Sequence, residues 1–261
     1  MTMTTANNPE IAAVDPEIEA LADAGVHVGH ARSKRHPAMA PYVWGVRSGV
    51  DIIDLTKTKE KLTPALGALT DAARQGKLIL FVGTRPAVSE LLRAAAVELG
   101  YPVVTRRWIG GTLTNFRVIR QSIDALEALM DEESAGASGL SKHEQGLREN
   151  ELRRLRECFD GLQELKRLPD LIVIMDIAHG ALALREARRL GIPVVAITDT
   201  NTNPGLVSYP IPASDDARPA IAYMLERMRS AIAEGRRMAA AEAEAPSPAV
   251  GAAPATDARQ D

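Results

Sequence analysis

Between Arg106 and Arg117 the chain reads Arg-Arg-Trp-Ile-Gly-Gly-Thr-Leu-Thr-Asn-Phe-Arg: cations, aromatics, paired glycines and hydroxyls without one acid. Guanidinium groups bind phosphate, ring faces stack on unpaired bases, and glycines let a backbone approach closely, so these residue types together point to an RNA contact. The acid-free stretch extends from Leu99 to Ile123 and carries Arg106, Arg107, Arg117 and Arg120. A second one, Val26 to Val50, carries Arg32, Lys34, Arg35 and Arg47 along with His27, His30 and His36. The formal net charge of the 261 residues is −3, so setting these eight cations aside leaves −11 on the remainder. Local sign, not overall charge, decides whether a surface attracts phosphate. The expected RNA-binding set is His27, His30, Arg32, Lys34, Arg35, His36, Arg47, Arg106, Arg107, Trp108, Thr112, Asn115, Arg117 and Arg120.

Other chemistries find weaker support. Asp176, Asp199 and the pair Asp215-Asp216 each follow an apolar or extended run, and in a parallel α/β sheet they would gather beyond the carboxyl ends of the strands. Clustered there, they could hold a divalent cation for phosphoryl transfer or structure, or simply cap loops. No nucleophile stands in a recognisable setting, neither G-x-G-x-x-G nor G-x-x-x-x-G-K-[ST] is present, and the expectation is a protein that is not an enzyme, with no cofactor and no metal. Gly83-Thr84-Arg85 could cradle an anion at a helix start. The three histidines lack cysteines beside them, and a single Cys158 allows neither an internal disulfide nor a cysteine zinc cluster. Trp44, in an alternating Val-Trp-Gly-Val segment, is expected to pack in a core, whereas Trp108 could stack or pack. No apolar run approaches the roughly 20 residues needed to span a bilayer, and no basic-then-apolar leader opens the sequence, so a cytoplasmic protein without membrane contact is expected.

The elements that must position these residues follow a strand and helix alternation. Val50–Leu55 reads as a strand and 56–75 as a helix, and Lys77–Gly83 is an apolar run typical of a strand buried on both faces. A helix over 86–99, a short strand at Pro102-Val103-Val104, a strand at 171–175, a helix over 181–190 and a strand at 193–198 continue the pattern. Tyr209–Pro212 is a short extended segment, and a helix follows over 215–234. This rhythm predicts an α/β domain over 17–113 and 168–237, a parallel sheet with helices on both faces. Phe116, Ile119, Ile123, Leu126 and Met130 form a 3-4-3-4 seam, and Leu152, Leu155, Phe159 and Leu162 form another. Joined by Ser134–Gly139, with a capping box at Ser141 and Glu144, they predict an antiparallel coiled-coil hairpin inserted at 114–167 and protruding from the domain. Residues 1–16 read as a flexible arm, and 238–261, rich in Ala, Glu and Pro with net charge −3, as a disordered tail.

Several runs together resemble the bacterial small-subunit ribosomal protein two family: Gly25–His30, Pro41–Gly45, Asp51–Leu55, Phe81–Thr84, Arg107–Phe116, Leu168–Asp170, Ile192–Ala196 and Asp199–Asn201. They occur in the family's order from about Ala20 to Glu234. The resemblance implies a flavodoxin-like sheet, the protruding hairpin, and a place as a structural constituent of the small subunit. Its implied partners are small-subunit ribosomal RNA and neighbouring ribosomal proteins, including the large, flexible ribosomal protein one. The chain departs from the family at Asp176-Ile177, where Asp-Pro is usual, at Gly180, where an acid is usual, and at Gly205-Leu206, which replaces Asp-Gly. Ser208 likewise stands where an acid is common. These changes weaken any metal site carried over from relatives and leave the cationic runs intact.

Overall fold

Five short apolar strands pair in parallel as the core of the computed structural model, which describes residues 15–134 and 142–244. In chain order the elements are α1 (Pro16–Asp23), β1 (Val28–Ala31), β2 (Val43–Arg47), β3 (Val50–Ile53), α2 (Leu55–Arg74), β4 (Ile79–Val82), α3 (Pro86–Leu99) and β5 (Val103–Val104). There follow α4 (Phe116–Ser134), α5 (Lys142–Phe159), β6 (Leu171–Ile174), α6 (Ala181–Arg189), β7 (Val194–Thr198), β8 (Tyr209–Pro212) and α7 (Arg218–Glu244). The parallel sheet has the order β5-β4-β6-β7-β8. Counting only its own strands, this is 2-1-3-4-5, the flavodoxin-like order, which opens a crevice between β4 and β6 at their carboxyl ends. Pro210 and Pro212 lie in β8, an edge strand, where a missing N–H costs no ladder bond on the open side.

Side chains alternate across the sheet, and each face builds its own core. Ile79, Phe81, Leu171, Val173, Val195 and Ile197 pack against α1, α2, α3 and α7. Leu80, Val82, Ile172, Ile174, Val194 and Ala196 pack against α6, the Trp108–Leu113 segment and the α4–α5 pair. Burial on both faces is why these strands read as continuous apolar runs. The two seams of α4 and α5 meet through Ile119, Ile123 and Leu126 opposite Leu152, Leu155 and Phe159. Arg148 and Arg156 of α5 pair with Glu132 and Glu133 of α4 at 2.6 and 2.7 Å. The seam is continuous with the sheet's core, so the root of this hairpin helps cover the sheet.

Three expectations change. Val50–Ile53 does not join the parallel sheet; it is the middle of a separate antiparallel sheet, β1-β3-β2. Trp44, expected in a core, is 78% exposed, because β2 is an edge of that small sheet and no described layer covers its face there. The last helix runs ten residues beyond Glu234, to Glu244, where a disordered tail was expected from Met238. Ala239–Glu244 holds strong helix formers, which need no apolar stripe once a preceding helix nucleates them, and Arg74 of α2 pairs with Glu242 at 2.7 Å. The segments 1–14, 135–141 and 245–261, with most of the expected arm, the rest of the tail and the Ser141 cap, lie outside the described residues.

Candidate nucleic-acid interface

The stretch after β5 must leave the sheet, turn, and start α4, which exposes a series of backbone N–H groups with no ladder partner. One carboxylate satisfies them. Glu186, 6% exposed on the inward side of α6, accepts from Gly111 N at 2.8 Å and Trp108 Nε1 at 3.1 Å through one oxygen. Its other oxygen accepts from Leu113 N at 2.9 Å, Thr114 N at 3.1 Å and Thr114 Oγ1 at 3.2 Å. Burial alone would raise the Glu186 pKa, but these donors outweigh it and hold the group below its ordinary value. Gly111 sits at φ +90°, a conformation that favours glycine, and this turns its N–H toward the carboxylate.

The same anchoring sorts the expected residues. Trp108 and Thr112 are buried, Thr112 donating to Ile109 O at 2.6 Å, and both support the loop from within. Arg106, Arg107, Asn115 and Arg117 stand exposed. Arg120 is engaged, its guanidinium pairing with Asp124 and Glu127 at 2.6 and 2.8 Å and donating to Gln163 O and Leu165 O, so it fastens α4 to the return of the hairpin.

The first cationic run is carried by the small sheet to the carboxyl edge of the large one. His30 N donates to Thr200 Oγ1 at 2.9 Å and His36 N to Thr200 O at 2.8 Å, and a Cβ on Gly29 would meet Thr200 Cγ2 at 2.6 Å. Arg35 forks onto fully buried Asp51, Nε donating at 2.6 Å, and His36 Nδ1 accepts from Ala38 N at 3.1 Å. His30 Nδ1 faces Asp216 at 3.3 Å and Asp199 at 3.7 Å. His27 is half-buried, while Arg32, Lys34 and Arg47 are exposed. Six of the eight cations, Arg32, Lys34, Arg47, Arg106, Arg107 and Arg117, have no acidic partner among the described residues.

Asp176, Asp199, Asp215 and Asp216 do gather at the sheet's carboxyl edge, with a cation of the chain's own among them. Arg85, which follows β4, meets Asp176 at 3.3 Å, Asp215 at 2.8 Å and Asp216. Burial disfavours its charge, but the neighbouring carboxylates prevail and raise its pKa. The acids also hold loops: Asp176 accepts from His179 N at 3.1 Å and contacts His179 Nδ1 at 2.6 Å, and Asp199 accepts from Asp215 N at 3.2 Å. Burial, with the charges of Asp176 and Asp199, pushes Asp215 up to about 8 against the pull of Arg85. His30, Asp215 and Asp216 each bring one ligand-type atom within 4.8 Å of the others, and the capping roles and Arg85 already engage the acids. Gly83 faces inward, where a Cβ would meet Val88 and Leu92 at 2.7 Å, and Arg85 aims at the chain's own carboxylates.

Glu186 is the organising residue that the sequence did not single out, while Arg85, expected at an anion-cradling turn, pairs with carboxylates instead. Glu186 left one trace, an acid between Leu184 and Ala187 on the apolar side of α6. Its partners lie 72 to 78 residues away, beyond any local pattern.

In this parallel α/β sheet Arg85 spans the crevice, and cations with no acidic partner among the described residues stand on two segments beside it. The family profile described as ribosomal protein S2 matches residues 21–235, and the chain belongs to that family. It is 42% identical over 220 residues to the small ribosomal subunit protein uS2 of Coprothermobacter proteolyticus, covering 84% of this chain and 82% of that one. Over 221 residues it is 43% identical to the protein of the same name in Amoebophilus asiaticus, covering 84% and 70%. Over 216 residues it is 42% identical to the small ribosomal subunit protein uS2c of Rhodomonas salina, covering 82% and 89%. No described helix is long and apolar enough to cross a membrane.

Proposed function

We propose that this chain is a structural constituent of the small ribosomal subunit, acting in the cytoplasm by binding ribosomal RNA and neighbouring ribosomal proteins. What supports the RNA contact is the set of exposed arginines on a loop whose polar backbone is already satisfied by Glu186. Such a loop presents charge without spending it on internal pairs. Arg106, Arg107 and Arg117 contact phosphate, and Arg32, Lys34 and Arg47 do so from the small sheet. Neighbouring proteins, ribosomal protein one among them, are the second partner class, as the family resemblance implies.

The test is competition between wild type and Arg106→Ala/Arg107→Ala for small subunits lacking this protein. The variant should keep its thermal stability, lose the competition, and show a salt slope of log K flatter by about 0.7–0.9 per lost phosphate contact. Equal incorporation of the two proteins would sink the reading.

A further inference from the structure

We propose that the cationic loop is only half of its binding surface, and that Arg185 and Arg189 of α6 supply the other half as phosphate contacts. The proposal rests on the RNA-binding reading above and extends it to a helix outside both acid-free runs.

Glu186 fixes α6 against the loop through bonds to Trp108, Gly111, Leu113 and Thr114, so the two elements form one surface. The loop lies along a definite side of the helix: a Cβ on Gly110 would come within 3.8 Å of Leu182 Cδ2, and Leu182 precedes Glu186 by four residues. At about 100° per residue, Arg189 stands about 60° from Glu186 around the axis and Arg185 about 100°, both on the outward continuation of that side. Arg188 stands about 160° away, across the helix. All three are exposed, and none has an acidic partner among the described residues. Leu182, 39% exposed, lies between the helix cations and the loop.

A different role for these arginines is favourable interaction with the carboxyl end of α6, since Arg188 and Arg189 both lie in its last turn. That role treats the two alike and gives Arg185, a turn earlier, no part. Contact with a polyanion on the loop side separates Arg185 and Arg189 from Arg188. The partner is an RNA backbone because two exposed guanidinium groups, beside Arg106 and Arg107 on the loop and Arg117 at the start of α4, match a line of phosphates.

The experiment measures association with small subunits lacking this protein from about 50 to 200 mM KCl, the range over which phosphate contacts are read as a slope. Arg185→Gln/Arg189→Gln should flatten the slope by about 1.4–1.8, two contacts' worth, and weaken binding several-fold at the lower salt. Arg188→Gln should leave slope and affinity at the wild-type values. Arg185→Lys/Arg189→Lys, which keeps the charge, should restore most of the slope. An unchanged slope in the Gln pair, or an equal loss in Arg188→Gln, overturns the proposal. Weaker binding at unchanged slope also overturns it, since it means contact with a protein neighbour. If Arg106→Ala/Arg107→Ala flattens the slope while the α6 pair does not, the α6 proposal fails and the RNA reading stands. A wild type with no salt slope at all removes both.

Discussion

The two cationic runs reach the surface by different means. The run from Val26 to Val50 is pinned partly through side chains, Arg35 on Asp51 and His30 facing Asp199 and Asp216, and partly through its backbone, His30 N and His36 N donating to Thr200. The run from Leu99 to Ile123 is pinned mainly through its backbone, by one distant carboxylate, and only Arg120 is drawn into ion pairs. Their tryptophans follow suit, Trp44 exposed on an edge strand and Trp108 at 6% exposure with its N–H on Glu186. Main-chain anchoring keeps side-chain charge available for a partner; side-chain anchoring consumes part of it.

Breaking each anchor tests the contrast, and the largest effect is expected at Glu186. Glu186→Ala strands three buried or half-buried N–H groups and the Trp108 indole, and should cost on the order of 3–5 kcal/mol in chemical denaturation. Glu186→Gln retains one acceptor oxygen but sets an amide NH₂ against the donors of the other, and should cost about half as much. Next, Arg35→Ala leaves Asp51, which is fully buried, without its cation, and should cost about 2–4 kcal/mol. If Arg35→Ala proves as harmful as Glu186→Ala, the contrast between the two anchors collapses.

The carboxylate edge gives a pH arm. Asp215, ordinarily near 3.8, is held at about 8, so the folded protein keeps a proton that the unfolded chain releases. That contribution is fully present below the unfolded value and lost as pH rises through about 8. Asp215→Asn should flatten the fall of stability between about pH 4 and 8, and an unaltered profile would place the titration elsewhere. The smallest effect is at Trp44: Trp44→Ala should change stability by less than about 0.5 kcal/mol. Trp44 fluorescence should also be readily quenched by iodide while that of Trp108 is shielded.

Much of this architecture was legible in the sequence, and the exceptions share a cause. Strands β4, β6 and β7 are buried on both faces and announce themselves as runs of Val, Ile and Leu, and the acids after β6 and β7 were expected at one edge because parallel topology puts them there. The small antiparallel sheet was hidden because β1 and β2 are short, half-exposed and interrupted by Gly29 and Gly45, and the alternation of β2 turns Trp44 outward rather than into a core. The excess length of α7 has no apolar periodicity to mark it and rests on alanine's helix propensity. Charge counted along the sequence also misled in part, for Arg35 and His30 find acids that fold in beside their acid-free run.

The crevice between β4 and β6 is where a sheet of this order ordinarily receives a diffusing guest. Here Arg85 leaves the end of β4 and reaches Asp176 at the end of β6, spanning that opening with a group tethered by its own backbone. A tethered occupant forfeits no translational freedom on binding, and neither dilution nor dialysis can remove it. The vestibule of the sheet is thus furnished in part by the chain itself, which leaves the loops and α6 for the contacts proposed above.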